Sequence, residues 1–383
     1  LPRIGKWIAR AEMDAYRYLP DSVREWPSPD LFSEQIAKAG FSRLPLFFVS
    51  LSTGAGKTTL FSKLTEIEYS RAIAASGRTI TGTVRIEDPR LHQMHEVEGS
   101  HKKLVAPLLE IMDGPAIPLS PEEKRDLPNA LPHFRECDGY LVVLKSYAGG
   151  DPKAELEAIR NELFLADVES MERRIEKLRG DVKRALPNRE ELKKELATFE
   201  QMSEAIMGGD TTVLANLTPE DEGRLRGYQF YSRKPIIPLI NLSEMDLGKK
   251  TDELSACIKL ETELLEMDPQ ERDSFMGDYG LEKLILPDLP VLLYDRLGFQ
   301  TFVTVGDKDV TAWHLRKGAT AFEAAGRIHT DLQKGFINCE AVPFGEWEGH
   351  KDYHQARARG KFRVEGREGL MQDFDVVHVK FNV

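Results

Sequence analysis

Short apolar runs alternate with helical stretches along much of the chain. Each run is four to six residues long and is bounded by proline, glycine or polar residues. These runs predict buried strands at 46–51, 108–112, 140–144 and 236–240. Two further alternating segments predict strands at 301–305 and 376–383. Strands that alternate with helices in the first part of the chain predict a parallel sheet of the α/β class.

The middle of the chain carries a helical pattern instead. Apolar residues spaced by four and three positions form a first heptad seam of Phe164, Val168, Met171, Ile175, Leu178, Val182 and Ala185. After Pro187, which breaks the helix, a second seam consists of Leu192, Leu196, Phe199, Ser203 and Ile206. Two such helices joined by a proline turn predict an antiparallel coiled-coil hairpin over 151–207. The alternative is two ordinary amphipathic helices packed on a core.

The first predicted strand leads into a loop of small residues, with a lysine and two hydroxyls behind it. The loop is Ser52, Thr53, Gly54, Ala55 and Gly56, and the next helix begins with Lys57, Thr58 and Thr59. This is the layout of a P-loop, in which backbone N–H groups and the helix N-terminus bind phosphate. Lys57 is expected to reach the β- and γ-phosphates, and Thr58 to bind Mg²⁺. The alternative is a coincidental Gly-Lys-Thr in an unrelated turn.

Two more polar sites follow predicted strands. Asp113 ends the second strand, where a P-loop protein would use it to hold Mg²⁺ through water. The alternative is a solvated residue at a strand end. Asn241, Leu242, Ser243 and Glu244 follow the fourth strand, and ligands bind at the carboxyl ends of parallel strands. An asparagine amide can pair with a purine edge, although a turn with a helix cap is the commoner meaning of this sequence.

Charge narrows the classes of function. The chain has 52 Lys and Arg against 63 Asp and Glu, and its net charge of −11 opposes nonspecific nucleic-acid binding by the whole surface. Residues 299–383 hold 12 basic and 12 acidic residues, so the excess of negative charge lies before them. Alternate spacing predicts one strand face that carries Arg357, Arg359, Lys361 and Arg363. Such a stripe would meet RNA phosphates, and the alternative is a solvated sheet face.

Cysteine usage and hydropathy point to a cytoplasmic protein. The three cysteines are far apart in sequence and form no C-x-x-C pair, so neither a zinc knuckle nor a disulfide framework is predicted. A reducing compartment fits this usage. No apolar run approaches the ~18 residues that a membrane-spanning helix needs.

Taken together, Leu51–Leu60, Asp113 and Asn241–Glu244 resemble the Obg-like ATPase (YchF) family. The most specific part of the resemblance is C-terminal, and it comprises Phe299–Phe302, Ala312–Trp313, Gly318–Ala321, Ile328–Asp331, Lys334–Ile337, Gln372–Asp373, Asp375–His378 and Phe381–Val383. The resemblance implies a P-loop NTPase parallel sheet, an inserted antiparallel coiled-coil hairpin and a C-terminal TGS-type β-grasp domain. The implied domains are an extension over 1–44, a P-loop domain over 45–150 and 208–298, the hairpin over 151–207 and the TGS-type domain over 299–383.

The resemblance also implies roles for individual residues. Asn241–Glu244 matches the family's Asn-x-x-Glu, which replaces the Asn-Lys-x-Asp of GTPases and relaxes guanine selection, so that ATP binds at least as readily as GTP. A second loop beside the base is expected at Ser255, Ala256 and Cys257, and a turn inside a helical segment is an equal alternative there. The implied cofactors are Mg²⁺ and a purine nucleotide, ATP or GTP. The implied partner is the ribosome or its RNA, reached through the TGS-type and coiled-coil domains, and not a membrane.

Departures from the family pattern affect hydrolysis more than binding. Leu51 replaces the first P-loop glycine, and Ala116 replaces a glycine whose N–H meets the γ-phosphate. The loop 117–129 lacks the family's catalytic histidine. The predicted function is therefore binding of ATP or GTP with slow Mg²⁺-dependent hydrolysis, and no catalytic residue is assigned. A degenerate, inactive nucleotide-binding scaffold that acts as an interaction module is the main alternative, and a small-molecule P-loop kinase is the third.

Overall fold

The chain forms two compact units in a computed structural model. One unit contains Pro45–Thr81 and Ile111–Pro287, and the other contains Gly82–Glu110 and Asp288–Val383. The structure describes residues 44–49, 54–65, 67–69, 79–114, 134–135, 137–147, 149–184, 187–247, 253–350 and 353–382. The predicted domain boundaries stay a prediction, because a division into compact units does not show which segments fold independently. The predicted extension over 1–44 lies outside the described residues except for Leu44.

The strands of both sheets are β1 (Leu44–Val49), β2 (Ile80–Arg85), β3 (Lys103–Val105), β4 (Leu108–Asp113), β5 (Gly139–Lys145), β6 (Ile236–Asn241), β7 (Leu254–Ala256), β8 (Phe299–Val305), β9 (Asp309–Arg316), β10 (Phe336–Val342), β11 (Arg363–Glu365) and β12 (Asp375–Phe381). The first sheet has the order β2-β4-β1-β5-β6-β7. Its neighbours β1 and β5, β5 and β6, and β6 and β7 all run parallel. The predicted parallel α/β sheet is therefore confirmed.

The helices are α1 (Lys57–Thr65), α2 (Pro89–Gly99), α3 (Pro152–Asp181), α4 (Arg189–Met207), α5 (Pro219–Leu225), α6 (Ile258–Leu264), α7 (Pro269–Asp278), α8 (Leu289–Arg296), α9 (Ala321–Ile328), α10 (Thr330–Lys334), α11 (Phe344–His350) and α12 (Tyr353–Ala358). Helix α1 begins at Lys57, the residue with which the sequence pattern predicts that the helix begins. In the described part of the chain, no helix combines the length and the apolar character that crossing a membrane requires.

Strand β5 of the first sheet contains a continuous apolar run. Each residue of its run Tyr140–Leu144 is buried. A continuous apolar run is typical of a parallel strand that is covered on both faces. Ile159 and Leu163 of α3 belong to the same core cluster. Because β1, β5, β6 and β7 run parallel, their carboxyl ends lie along one edge of the sheet.

Helices α3 and α4 pack together over part of the predicted seam. Met171, Ile175 and Leu178 of α3 are buried in one cluster with Phe199 and with Met202, not Ser203, of α4. Helix α3 ends at Asp181, so Val182 lies beyond it, and Ala185 lies outside the described residues. The packing supports a helical pair, and the coiled-coil geometry stays a prediction.

The second sheet has the order β11-β10-β12-β8-β9-β3. It is mixed, because β8 and β9 and the pairs of β10 are antiparallel, whereas β12 and β8, and β3 and β9, run parallel. Its core contains Phe302, Trp347 and Phe374, each at most 1% exposed. The predicted strands in this part of the chain are confirmed, and its assignment to the TGS type stays a prediction.

The predicted basic stripe on one strand face is wrong. Arg357 lies in helix α12, and only Arg363 lies in a strand. Gly360, with a φ of +72°, follows the helix and allows the chain to turn where the pattern suggested a straight strand. Arg357 pairs with Glu340 at 2.5 Å, and Arg363 pairs with Asp375 at 2.6 Å. Both arginines are therefore paired with acidic residues of the second sheet.

Candidate functional site

Two glycines shape the loop between β1 and α1. Gly54 has a φ of +80° and Gly56 a φ of +97°, which side chains with a Cβ rarely adopt. A Cβ on Gly56 would also lie 2.5 Å from the amide nitrogen of Asn241. Gly56 therefore permits both the turn into α1 and a close approach of β6. Of the predicted loop residues, Ser52 and Thr53 lie outside the described part of the chain, as does Leu51.

The predicted lysine, hydroxyl and carboxylate come together at the start of α1. Lys57 Nζ donates to Asp113 Oδ1 and to the Gly114 carbonyl. Thr58 Oγ1 donates to Asp113 Oδ2 at 3.1 Å. Asp113 ends β4 and is only 6% exposed, so its interpretation as a solvated strand end is wrong. Thr59 follows in the first turn of α1 and is partly exposed.

The donor set around Thr58 and Asp113 fits a hard cation. Mg²⁺ prefers oxygen ligands, and P-loop proteins supply few of them from side chains, the rest coming from phosphate and water. A hydroxyl and a carboxylate lie within hydrogen-bond distance of each other here, beside a loop that ends in a helix N-terminus. Lys57 now neutralises the carboxylate that such a cation would contact.

Asn241 ties the loop to another helix. Its amide Nδ2 donates to the Ala55 carbonyl at 2.8 Å, and its Oδ1 accepts from the Ile258 N–H at 3.1 Å. The side chain is 6% exposed, and Ala55 and Ile258 are each 1% exposed. Both ends of the amide therefore have protein partners. The predicted pairing of this amide with a purine edge stays a prediction, and the observed contacts position the loop.

The two predicted base-flanking segments are adjacent. Strand β7 pairs with β6 so that Asn241 lies opposite Ala256 and Ile240 opposite Ser255. Leu242 N–H continues this pairing by donating to the Ala256 carbonyl at 2.9 Å. The alternative of a turn inside a helical segment is wrong, because Ser255 and Ala256 belong to a strand that leads into α6.

The side chains in these two segments differ in exposure. Leu242 and Cys257 are buried, and burial raises the pKa of the Cys257 thiol. Glu244 is exposed, and its carboxylate accepts from Lys259 Nζ at 3.3 Å. Glu244 and Lys259 therefore form an ion pair that is exposed to solvent.

One contact of the loop was missed from the sequence. The Tyr147 hydroxyl donates to the Gly54 carbonyl at 2.7 Å. Tyr147 lies two residues after β5, and the preceding Ser146 Oγ donates to the Asn241 carbonyl at 3.1 Å. The available signal was its place after the carboxyl end of a parallel strand, where ligands bind. The residue type alone carries no such signal.

The first strand of the parallel sheet is followed by a glycine-containing loop and by a helix that begins with Lys-Thr. This arrangement defines the P-loop class of α/β proteins. Comparison with known proteins narrows the class. The chain is 30% identical over 354 residues to "Ribosome-binding ATPase YchF" of Haemophilus ducreyi, which covers 86% of this chain and 96% of that protein. A Bacillus subtilis protein of the same name is 28% identical over 357 residues, with the same coverage. The chain belongs to the YchF family.

Two family models and a solved structure complete the comparison. Residues 299–382 match a model for the C-terminal part of YchF GTPases, described as a protein of unknown function (DUF933). The structure of the Schizosaccharomyces pombe YchF GTPase is similar with a TM-score of 0.68 and 22% identity, over 88% of this chain and 97% of that chain, which supports the fold. Residues 1–57 match the ubiE/COQ5 methyltransferase family. Within that range the structure describes 44–49 and 54–57, which belong to β1, the loop and α1.

Proposed function

We propose that the chain binds a purine nucleoside triphosphate with Mg²⁺ and hydrolyses it slowly. The observation that carries the proposal is the convergence of Lys57 Nζ and Thr58 Oγ1 on the two carboxylate oxygens of Asp113. P-loop proteins use a phosphate-binding lysine, a hydroxyl that binds Mg²⁺ and a carboxylate for this chemistry. The names of the relatives, which call them ATPases, support the same function.

Binding of a triphosphate requires an exchange of partners. Lys57 leaves Asp113 and donates to phosphate oxygens, and the backbone N–H groups around Gly54–Gly56 bind the remaining negative charge. Thr58 and Asp113 are the residues that would hold Mg²⁺. A bound Mg²⁺ would supply positive charge that offsets the charge of the phosphates. Asp113 would otherwise be left buried without a cation, which makes nucleotide and Mg²⁺ binding mutually dependent.

The base is expected to lie beside the carboxyl ends of β6 and β7. Glu244 stands where a guanine-specific site would carry aspartate, and its longer side chain displaces the acceptor oxygens. We therefore expect ATP and GTP to differ by less than ~100-fold in affinity, about 2.7 kcal/mol. Leu242 and Cys257 contribute through their backbone, because their side chains are buried.

Hydrolysis is expected to be slow because binding groups alone do not lower the barrier. Lys57, Thr58 and Asp113 stabilise the bound triphosphate, and uniform binding of substrate and transition state leaves the chemical rate unchanged. Phosphoryl transfer also needs a group that orients water. The sequence offers no histidine or glutamine in the loop 117–129, which lies outside the described residues.

The ribosome is the proposed macromolecular partner, and the cytoplasm the proposed location. The relatives are named ribosome-binding ATPases, and the chain covers 96% of the length of the first of them. The helical pair α3 and α4 and the second sheet with its helices are the parts that would make the contact. Because Arg357 and Arg363 are paired with acidic residues, a strand-face stripe no longer supports this partner.

The binding experiment is a calorimetric titration of hydrolysis-resistant ATP and GTP analogues with Mg²⁺. Lys57→Ala is expected to weaken binding by about 1.5–3 kcal/mol, because a charge-assisted contact is lost. Lys193→Ala is the matched control, since Lys193 is a lysine in an exposed ion pair of α4. Equal affinity of the wild type and Lys57→Ala would exclude the P-loop site.

Turnover separates the proposed function from its alternatives. A single-turnover assay with saturating protein and labelled ATP is expected to give a rate well below ~1 s⁻¹, the range of ordinary kinases. Binding without any turnover, alone and with ribosomes, would favour the inactive scaffold. Loss of ATP that is accelerated by a hydroxyl acceptor would favour a small-molecule kinase.

A further inference from the structure

An ion pair lies at the proposed base edge of the site. Lys259 Nζ lies 3.3 Å from Glu244 Oε1, and the two side chains are 73% and 43% exposed. Glu244 follows Asn241 by three residues, and Lys259 lies in the first turn of α6. The pair therefore joins the two segments that flank the proposed base position.

Hydrogen bonds of the main chain position the two segments that carry the pair. The Ile258 N–H donates to Asn241 Oδ1, which fixes the start of α6 and hence Lys259 beside the end of β6. Leu242 N–H donates to the Ala256 carbonyl, which fixes the chain that leads to Glu244. A second carboxylate, Glu263, lies 4.0 Å from Lys259 Nζ on the next turn of α6. Both carboxylates raise the pKa of Lys259, and that of Glu244 has the larger effect, so the lysine stays charged at neutral pH.

We propose that Lys259 is a specificity-determining residue, which shifts the base preference of the site from guanine toward adenine by occupying the carboxylate of Glu244. This inference rests on the proposed function, because it concerns the same nucleotide site. It adds a residue that lies outside the Asn-x-x-Glu sequence.

The chemistry of the two purines explains the direction of the shift. The Watson–Crick edge of guanine carries two adjacent N–H donors, at N1 and at the 2-amino group, and a free carboxylate accepts from both. Adenine has an acceptor at N1 and only a C–H at position 2, so a free carboxylate repels it. A carboxylate whose Oε1 is bound to an ammonium group offers one oxygen less to guanine.

The test measures the ratio of GTP-analogue to ATP-analogue affinity, because a general weakening of the site leaves a ratio unchanged. Lys259→Met removes the charge and keeps most of the length of the side chain. We expect the ratio to rise by about two- to fivefold, the range typical of exposed ion pairs. Lys193→Met is the control, since Lys193 is also a lysine in an exposed ion pair with a glutamate, and its ratio is expected to stay unchanged.

A second background shows whether the effect passes through Glu244. Glu244→Gln removes the carboxylate charge, and Lys259→Met in that background is expected to leave the ratio unchanged. The inference alone is overturned if wild type and Lys259→Met bind nucleotides with the same ratio, or if the ratio moves equally in both backgrounds. If the wild-type chain binds neither analogue, the proposed function fails and the inference fails with it.

Discussion

Replacing Asn241 with alanine is expected to weaken triphosphate binding whatever base the ligand carries. The amide of Asn241 has two protein partners, the Ala55 carbonyl at 2.8 Å and the Ile258 N–H at 3.1 Å. The first of these holds the loop that precedes Lys57, and the second holds the start of α6. Removal of the side chain therefore frees the loop that must arrange its N–H groups around phosphate.

The size of the effect follows from burial. Ala55 and Ile258 are each 1% exposed, so water cannot readily replace the lost amide. A buried donor or acceptor without a partner costs about 1–3 kcal/mol, so two of them lower the free energy of unfolding by about 2–6 kcal/mol. If the loop loses part of its order, we expect about 10- to 100-fold weaker binding of triphosphate, which is about 1.4–2.7 kcal/mol.

The assay compares two ligands, an ATP analogue and inorganic tripolyphosphate, each with Mg²⁺. A residue that positions the loop affects both ligands equally, whereas a residue that contacts the base affects only the ATP analogue. Asn216→Ala is the control, because Asn216 is an exposed asparagine whose side-chain amide donates to Thr212 Oγ1. A variant with unchanged stability that loses affinity for the ATP analogue alone would refute the positioning role. It would establish recognition of the base instead.

Three further substitutions test other parts of the structure. Gly56→Ala is expected to lower the free energy of unfolding by about 2–3 kcal/mol in urea titrations, because its φ of +97° strains a residue with a Cβ and that Cβ would lie 2.5 Å from Asn241 Nδ2; a change below about 0.5 kcal/mol would contradict this. Tyr147→Phe removes the donor to the Gly54 carbonyl and is expected to lower triphosphate affinity by no more than about tenfold. A larger loss would mean that the hydroxyl touches the nucleotide. Burial lowers the pKa of His314 from 6.5 to about 4. The unfolded chain thus binds this proton more tightly, and stability falls as the pH drops from 6.5 toward 4. His314→Gln is expected to reduce this loss of stability by about 2–3 kcal/mol. Urea titrations of the wild type and the variant at pH 7 and pH 4.5 measure the difference.

The elements predicted well from the sequence are those whose environment is uniform along their length. Strand β5 is buried at every position from Tyr140 to Leu144, so its apolar run alone predicts it. Strand β7 has only three residues, Leu254–Ala256, which is too short for a period to appear. Its existence depends on pairing with β6, and a single sequence contains no direct record of that pairing.

The residues of the site also divide into those that the sequence pattern predicts and those that depend on long-range contacts. Lys57, Thr58 and Asp113 could be predicted because each follows a recognisable strand and belongs to a known phosphate-binding pattern. The contact of Asn241 with Ala55 could not, since the two residues are 186 positions apart and a carbonyl acceptor has no side-chain signature. The basic stripe failed for a local reason. Alternate spacing predicts a strand face only if the chain is extended, and helix α12 contains Arg357.

The contacts around the loop separate the part of the site that holds its shape from the part that carries its charge. Asn241 and Tyr147 hold the loop through the backbone carbonyls of Ala55 and Gly54 and carry no charge themselves. Lys57 and Asp113 carry charge, and they neutralise each other when they are paired. In the proposed binding, a triphosphate would separate this pair, and the loop would keep its shape while the charges exchange partners. Binding then needs only groups that are already in place, whereas hydrolysis needs an additional group that orients water. For this reason the chain is expected to bind a triphosphate even without turnover, and the two properties are measured in separate experiments.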